Sequence, residues 1–313
     1  MAPLAQSIFR TLAFFDAQNL ALSLAEIQNY LVYPHFDLSR SSTTLPTPGE
    51  GLGERSPALM KLETILEIEL VDKVGYAEGF YFLAGREGLA KLRQEYYRES
   101  LRRLRQAKKI LYFLRFVPYV RAMAISGSVA LLGAVQDSDI DLFILTAPKR
   151  IWLARLFVSA YFQILGLRRH GLYTKNRFCL NHYLEAGREI EEDKNLYTAV
   201  EYASLLPVLG RREIEKFWEQ NAWIRAYLPA AWYGETRLPY FDFERSRLAG
   251  ILEFLLNWTI GPIFNLLAGL YQRQRIRLQE NIIVSNQELS FHPDSRGQRI
   301  LARFAGRVDK SVN

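Results

Sequence analysis

The chain has almost no cysteine: Cys179 stands alone in 313 residues. One thiol can form neither an internal disulfide framework nor a Cys-based zinc site, so a reducing, cytoplasmic setting is expected. The opening MAPLAQSIFRTL has no charged region leading into a long apolar core and a small-residue cleavage site, and is not expected to act as a signal peptide. There is no Gly-x-Gly-x-x-Gly, no Walker loop, no Cys/His cluster and no internal repeat. Those absences remove the dinucleotide fingerprint, the P-loop, the zinc modules and the solenoids.

Acidic residues are outnumbered, 33 against 40 Lys and Arg, which leaves a net charge of +7 and a pI near 9.4. An anionic partner follows, and a nucleotide, a nucleic acid or a membrane surface would each fit. With 49% hydrophobic and 23% charged residues the chain is globular, and its length allows two or three domains.

Chemistry is stated most clearly between Ile125 and Thr146, ISGSVALLGAVQDSDIDLFILT. An apolar run ends in Gly127-Ser128, and eleven residues after that serine come Asp139 and Asp141 on an alternating segment. A period of two puts both carboxylates on one face of a strand, with Ile140 and Leu142 on the other. Carboxylates one pleat apart repel unless a cation lies between them, and Mg²⁺ prefers such oxygens while keeping waters for a phosphate to displace. Glycine lets a backbone approach a bulky anion, and successive N–H groups with the serine hydroxyl can hold phosphate oxygens. The alternative is an ordinary turn and a solvated strand edge. The ordered spacing between two apolar runs favours the site.

Gly-Ser, an insert containing Gly133, then Ser-Asp-Ile-Asp-Leu resembles the signature of the DNA polymerase beta superfamily of nucleotidyltransferases, the minimal and antibiotic-modifying members in particular. The resemblance covers about twenty residues. It implies that Gly127, Ser128 and Ser138 contact the nucleotide and that Asp139 and Asp141 hold one or two Mg²⁺ ions. The basic residue often found after the Gly-Ser is replaced here by Leu131 and Leu132. The superfamily's third carboxylate sits on a later strand. In NRFCLNHYLE, with Cys179, Asn181, Tyr183 and Glu185 read on one face, that role falls to Asn181 or Glu185. His182 is read on the opposite face as a structural residue.

Residues 1–85 read as a small domain. A helix over roughly Leu4 to Phe15 is followed by a second opened by a Ser23/Glu26 capping box, a Ser/Pro/Gly-rich flexible loop over 37–57, a third helix from Ala58 to Glu69, and a hairpin around Gly75–Glu78. Three helices and a hairpin resemble a winged helix. Its third helix sets Lys61 against Glu63, Glu67 and Glu69, which phosphate repels, so a protein partner or domain packing is expected there rather than DNA. Residues 86–118 follow as a basic connecting helix, running to Val117 and ended by Pro118, with its arginines turned to a nucleotide cleft or to water.

The expected catalytic core spans 119–190, and a mainly helical region 191–313. Within the latter, Asn195–Tyr227 is read as two helices broken at Pro207 and Gly210, with Tyr197, Tyr202 and Trp218 as core aromatics more than base-stacking groups. The stretch Arg247–Leu270 is apolar enough to be weighed as a membrane span. Glu253, Asn257, Asn265 and Gly261-Pro262 argue instead for two buried helices, with a membrane-surface contact as the alternative. His292 and Asp294 could serve the acceptor side or cap a helix.

The expected architecture is therefore α+β: a nucleotidyltransferase-type mixed sheet flanked by helices, an N-terminal winged-helix-like domain and a helical C-terminal region. The expected activity is Mg²⁺-dependent transfer of an NMP group from an NTP to an acceptor hydroxyl on a small molecule, a protein or an RNA end. A non-catalytic nucleotide sensor, or a protein-interaction module that keeps the fold, is the alternative.

Overall fold

The computed structural model of the chain describes residues 2–32, 57–169, 177–191, 194–231, 241, 243–259, 261–276, 282–291 and 295–312. Most of the 37–57 loop, together with His292 and Asp294, lies outside them. Pro3–Asp16 (α1), Leu24–Asn29 (α2) and Pro57–Ile68 (α3) precede a hairpin of Val74–Ala77 (β1) and Phe80–Leu83 (β2). The capping box forms as expected: Ser23 Oγ accepts from the Glu26 amide and Glu26 Oε2 from the Ser23 amide. The hairpin turn falls later than expected, at Glu78-Gly79, where both residues have positive φ, 56° and 84°. That is the conformation a two-residue hairpin demands. Leu22 also bridges Tyr81, so the α1–α2 connection lies beside the hairpin.

Gly88–Tyr112 (α4) is the basic helix, and its last expected turn tightens into a 3-10 segment, Phe113–Phe116, before Pro118. Then follow Val120–Ser126 (β3), Gly127–Ala130 (α5), Ile140–Thr146 (β4), Ile151–Ile164 (α6) and Phe178–Glu185 (β5). After these come Leu196–Ala203 (α7), Leu206–Leu209 (β6), Arg211–Gln220 (α8), Ile224–Tyr227 (α9), Arg247–Thr259 (α10) and Gly261–Ile276 (α11). Ile283–Val284 (β7), Glu288–Ser290 (β8) and Ser295–Val312 (α12) close the chain.

Six strands make one mixed sheet in the order β6-β3-β4-β5-β8-β7, parallel only between β4 and β5. The fold is α+β, with helices on both faces of this sheet. Strand β6 lies where the sequence suggested only helix. It pairs with β3 along one edge and contains Pro207, which an edge strand tolerates because one side of its backbone needs no ladder bond.

Ala122, Ala124, Phe143, Leu145 and Leu184 face one way and share a core with α1, α2, α7, α8, α9 and α12. The α1 helix is joined to the C-terminal helix by Phe14 against Phe304, ring centroids 5.7 Å apart, and by Arg307 on Asp16. Met123, Ile125, Leu142 and Ile144 face the other way against α4, α6 and α11. Being buried on both faces explains why β4 reads as a nearly continuous apolar run after Asp141.

The α10–α11 pair is not buried as expected. Ile251, Phe254, Leu255, Trp258, Ile263, Leu266, Leu267 and Leu270 are all exposed, Trp258 at 81%. No single described helix is long and apolar enough to cross a membrane.

A candidate metal and phosphate site at one end of the sheet

The register of β3 against β4 builds the site. Ser126 pairs with Asp141, so the chain leaves β3 and turns at Gly127 directly beside that carboxylate. Gly127 has φ +64°, and a Cβ there would lie 2.6 Å from Asp141 Oδ2. Both the left-handed backbone and the close approach require glycine. Ser128 follows in the first turn of α5, half-buried, its carbonyl accepting from Gly133 N at 2.7 Å.

Asp139 and Asp141 share one face, and a ligand atom from each, together with Cys179 Sγ, lie within 4.8 Å of one another. Cys179 enters because β5 runs parallel to β4 with Cys179 opposite Asp141. Sequence reasoning placed Cys179 on the right face but gave it no role. Burial, then the charges of Asp141 and Asp139, push its thiol up to about 12. That favours the protonated thiol over the thiolate. The donors that carry charge are the two carboxylates, a hard oxygen set that suits Mg²⁺ better than a soft metal.

The β4–β5 register slips between Asp141/Cys179 and Phe143/His182, so one extra residue of β5 sits at this point. This bulge overturns the strict alternation expected for NRFCLNHYLE. Cys179 and Asn181 stay on the aspartate face. His182 joins that face instead of opposing it, edge-on to Phe143 at 5.1 Å, while Tyr183 belongs to the opposite core. Asn181 donates from Nδ2 to Asp141 Oδ1 and accepts the Cys179 thiol at Oδ1. Its amide orients Asp141, with no charge of its own to offer.

Glu185 is not at the site. It pairs with Thr146 at the far end of β4, five residues beyond Asp141 and so roughly 16 Å along the strand. There it accepts from Lys149 N at 3.3 Å and lies 3.9 Å from Arg188. Ser138 is occupied locally: its hydroxyl accepts from Val135 N at 3.0 Å and its amide donates to Val135 O, which closes the turn that delivers Asp139.

Positive charge enters from Arg169, whose guanidinium donates to Asp139 Oδ2 at 2.6 Å and reaches Cys179 Sγ at 3.5 Å. The basic helix contributes indirectly, and its arginines are not uniformly solvated. Arg93, 1% exposed, donates to the carbonyls of Leu131 and Leu132, each at 3.0 Å. Ser100 Oγ accepts from Ala134 N at 3.0 Å, and fully buried Arg103 donates to Gln136 O at 2.7 Å. Three groups spread over roughly three turns of α4 thus hold the 131–136 loop between the glycine turn and Asp139. Gly133 is pressed between Leu20 and Arg93, which ties that loop to the N-terminal helices. Arg93 and Arg103 lie ten residues apart on one side of α4, but their sequence context does not separate them from the solvated arginines.

Beneath the site, His182 Nδ1 lies 3.2 Å from the Tyr202 hydroxyl and Nε2 lies 3.0 Å from Glu288, all buried. Tyr202 and Trp218 are core residues, as expected, with Trp218 Nε1 donating to the Tyr202 carbonyl. No family model, curated protein or solved structure matches this chain.

Proposed function

We propose that the chain is a Mg²⁺-dependent nucleotidyltransferase of the polymerase beta type. The observation that carries this reading is the Gly127 turn seated against Asp141, with Asp139 and Asp141 on one face of β4. A phosphate holder and a cation holder thereby meet at one end of the inner strands β3 and β4. Asp139 and Asp141 would hold the Mg²⁺, which when bound neutralises phosphate charge and lowers the acceptor's pKa. The backbone amides at the start of α5 and the Ser128 hydroxyl hold the terminal phosphates and orient the α-phosphorus. Asn181 keeps Asp141 from rotating, and the α4 clamp on the 131–136 loop keeps Asp139 in register. The acceptor hydroxyl releases its proton to water, its oxygen forms a bond to the α-phosphorus as the α–β bridge breaks, and pyrophosphate leaves. Under this reading α1–α3 with the β1–β2 hairpin and the Leu22–Tyr81 bridge form a winged-helix-like module, one that a protein partner would engage.

Calorimetry with each NTP, with and without Mg²⁺, tests the proposal. Metal-dependent binding that Asp139→Ala abolishes is expected, and binding of no NTP under either condition would sink it. A second reading, a nucleotide sensor without turnover, is favoured by Asn181 standing where the superfamily carries a third carboxylate and by Arg169 already paired with Asp139. NTP binding with no pyrophosphate release on any acceptor would select it.

A further inference from the structure

The α10–α11 pair is amphipathic in the reverse of the usual sense. On a surface helix of a water-soluble protein the polar residues face solvent and the apolar ones the core. Here Glu253 and Gln272 are buried, and Asn257 and Asn265 bond to neighbouring elements. Glu253 accepts from Arg121 at 2.8 and 3.1 Å and from Tyr119 N, and also pairs with Arg245. Asn257 accepts from Tyr119 and Arg150, each at 3.1 Å. Asn265 accepts from Leu153 N at 3.2 Å, and Gln272 donates to Trp152 O at 2.9 Å. The large apolar side chains face outward, and Phe254 packs only loosely on Trp258, with ring centroids 6.2 Å apart. Such a face far exceeds the scattered exposed leucines that any protein carries.

We propose that this face docks on an anionic phospholipid bilayer, lying in one leaflet without crossing it. Charge decides the occupant. From Glu244 to Glu280 the sequence has five arginines against three acids, and Glu253 is paired inward with Arg121 and Arg245, which leaves Arg247 and Arg275 exposed at the two ends of the face. Cations at both ends of an apolar face, with Trp258 and Tyr271 exposed on it, match a headgroup layer above acyl chains. Neither helix alone is long enough to span. The two helices meet at 96°, and even the longer, 16 residues, reaches only about 24 Å against a core of about 30 Å.

The test is flotation of the full chain with vesicles of phosphatidylcholine alone and of phosphatidylcholine mixed with phosphatidylglycerol, beside light scattering without lipid. The chain should float with the anionic vesicles, weakly with the neutral ones, and less at high salt. Phe254→Ser combined with Trp258→Ser should cut partitioning roughly tenfold. Both side chains are exposed, so that variant should fold, as its circular dichroism would verify. Arg247→Gln with Arg275→Gln should erase the preference for anionic lipid. No flotation, or flotation unchanged in the Phe254/Trp258 variant, overturns the proposal. A stable dimer that does not float and that the same variant dissolves would make the face a contact between copies and overturn it equally.

Discussion

Asp141 and Glu253 both adjoin apolar runs, yet their surroundings are opposite. Glu253 is neutralised from several directions by Arg121, Arg245 and the Tyr119 amide. Asp141 has a second carboxylate beside it, a neutral amide holding one oxygen, and a glycine turn against the other. A carboxylate whose lone pairs are filled by arginine is a fastener. One placed beside a second carboxylate and a glycine turn is arranged as a ligand site would be.

The largest effect should come from breaking that difference at the open site. Asp141→Asn should weaken Mg²⁺-dependent NTP binding by at least roughly a hundredfold, since even outer-shell changes cost 10–100-fold, while thermal stability holds or rises. Calorimetry and a melting curve on one sample check both halves.

Glu253→Ala should do the reverse, leaving nucleotide binding unchanged and lowering stability by about 3 kcal/mol. That is the low end for a buried pair, because the Arg121 and Arg245 side chains are 29% and 25% exposed. Denaturant melts read it.

The same comparison sharpens with pH. Burial pushes the Glu253 carboxyl up, but the Arg121 bond, the Tyr119 amide and the charges of Arg121 and Arg245 outweigh it and hold the group below its ordinary value. A depressed folded pKa means a contribution fully present above the unfolded value and lost as pH falls through the folded one. The melting-temperature gap between wild type and Glu253→Gln should therefore be widest near neutrality and close on acidification. A gap that widened in acid would contradict the assignment.

The smallest effect should follow Arg169→Ala. Its partly exposed pair with Asp139 is worth little, so Mg²⁺ affinity should rise only about threefold as the competing cation leaves. A fall in affinity would instead make Arg169 part of the binding site.

Local patterns in the chain were readable where a few neighbouring residues decide the outcome. The Ser23/Glu26 box, the paired face of Asp139 and Asp141, and a hairpin before the basic helix all depend on short-range geometry. What could not be read depends on partners far away in sequence. The bulge beside Asn181 arises from pairing with β4 some forty residues earlier, and it separates Asn181 from Glu185 even though strict alternation joins them. Strand β6 exists because β3 offers it an edge. The buried role of Arg93 and Arg103 exists because the 131–136 loop brings them its carbonyls.

By itself, then, the sequence determined the two carboxylates on one strand face and the glycine turn that precedes them, because a period of two and a left-handed backbone are local properties. It likewise determined that α10–α11 would be apolar with few charges. Only the tertiary structure decided that the turn meets Asp141, that Asn181 and Cys179 rather than Glu185 stand beside it, and that Glu253 and Gln272 of α10–α11 turn inward. Each of these is set by strand register or by which side of a helix finds bonding partners, and those are contacts between segments that no local pattern encodes.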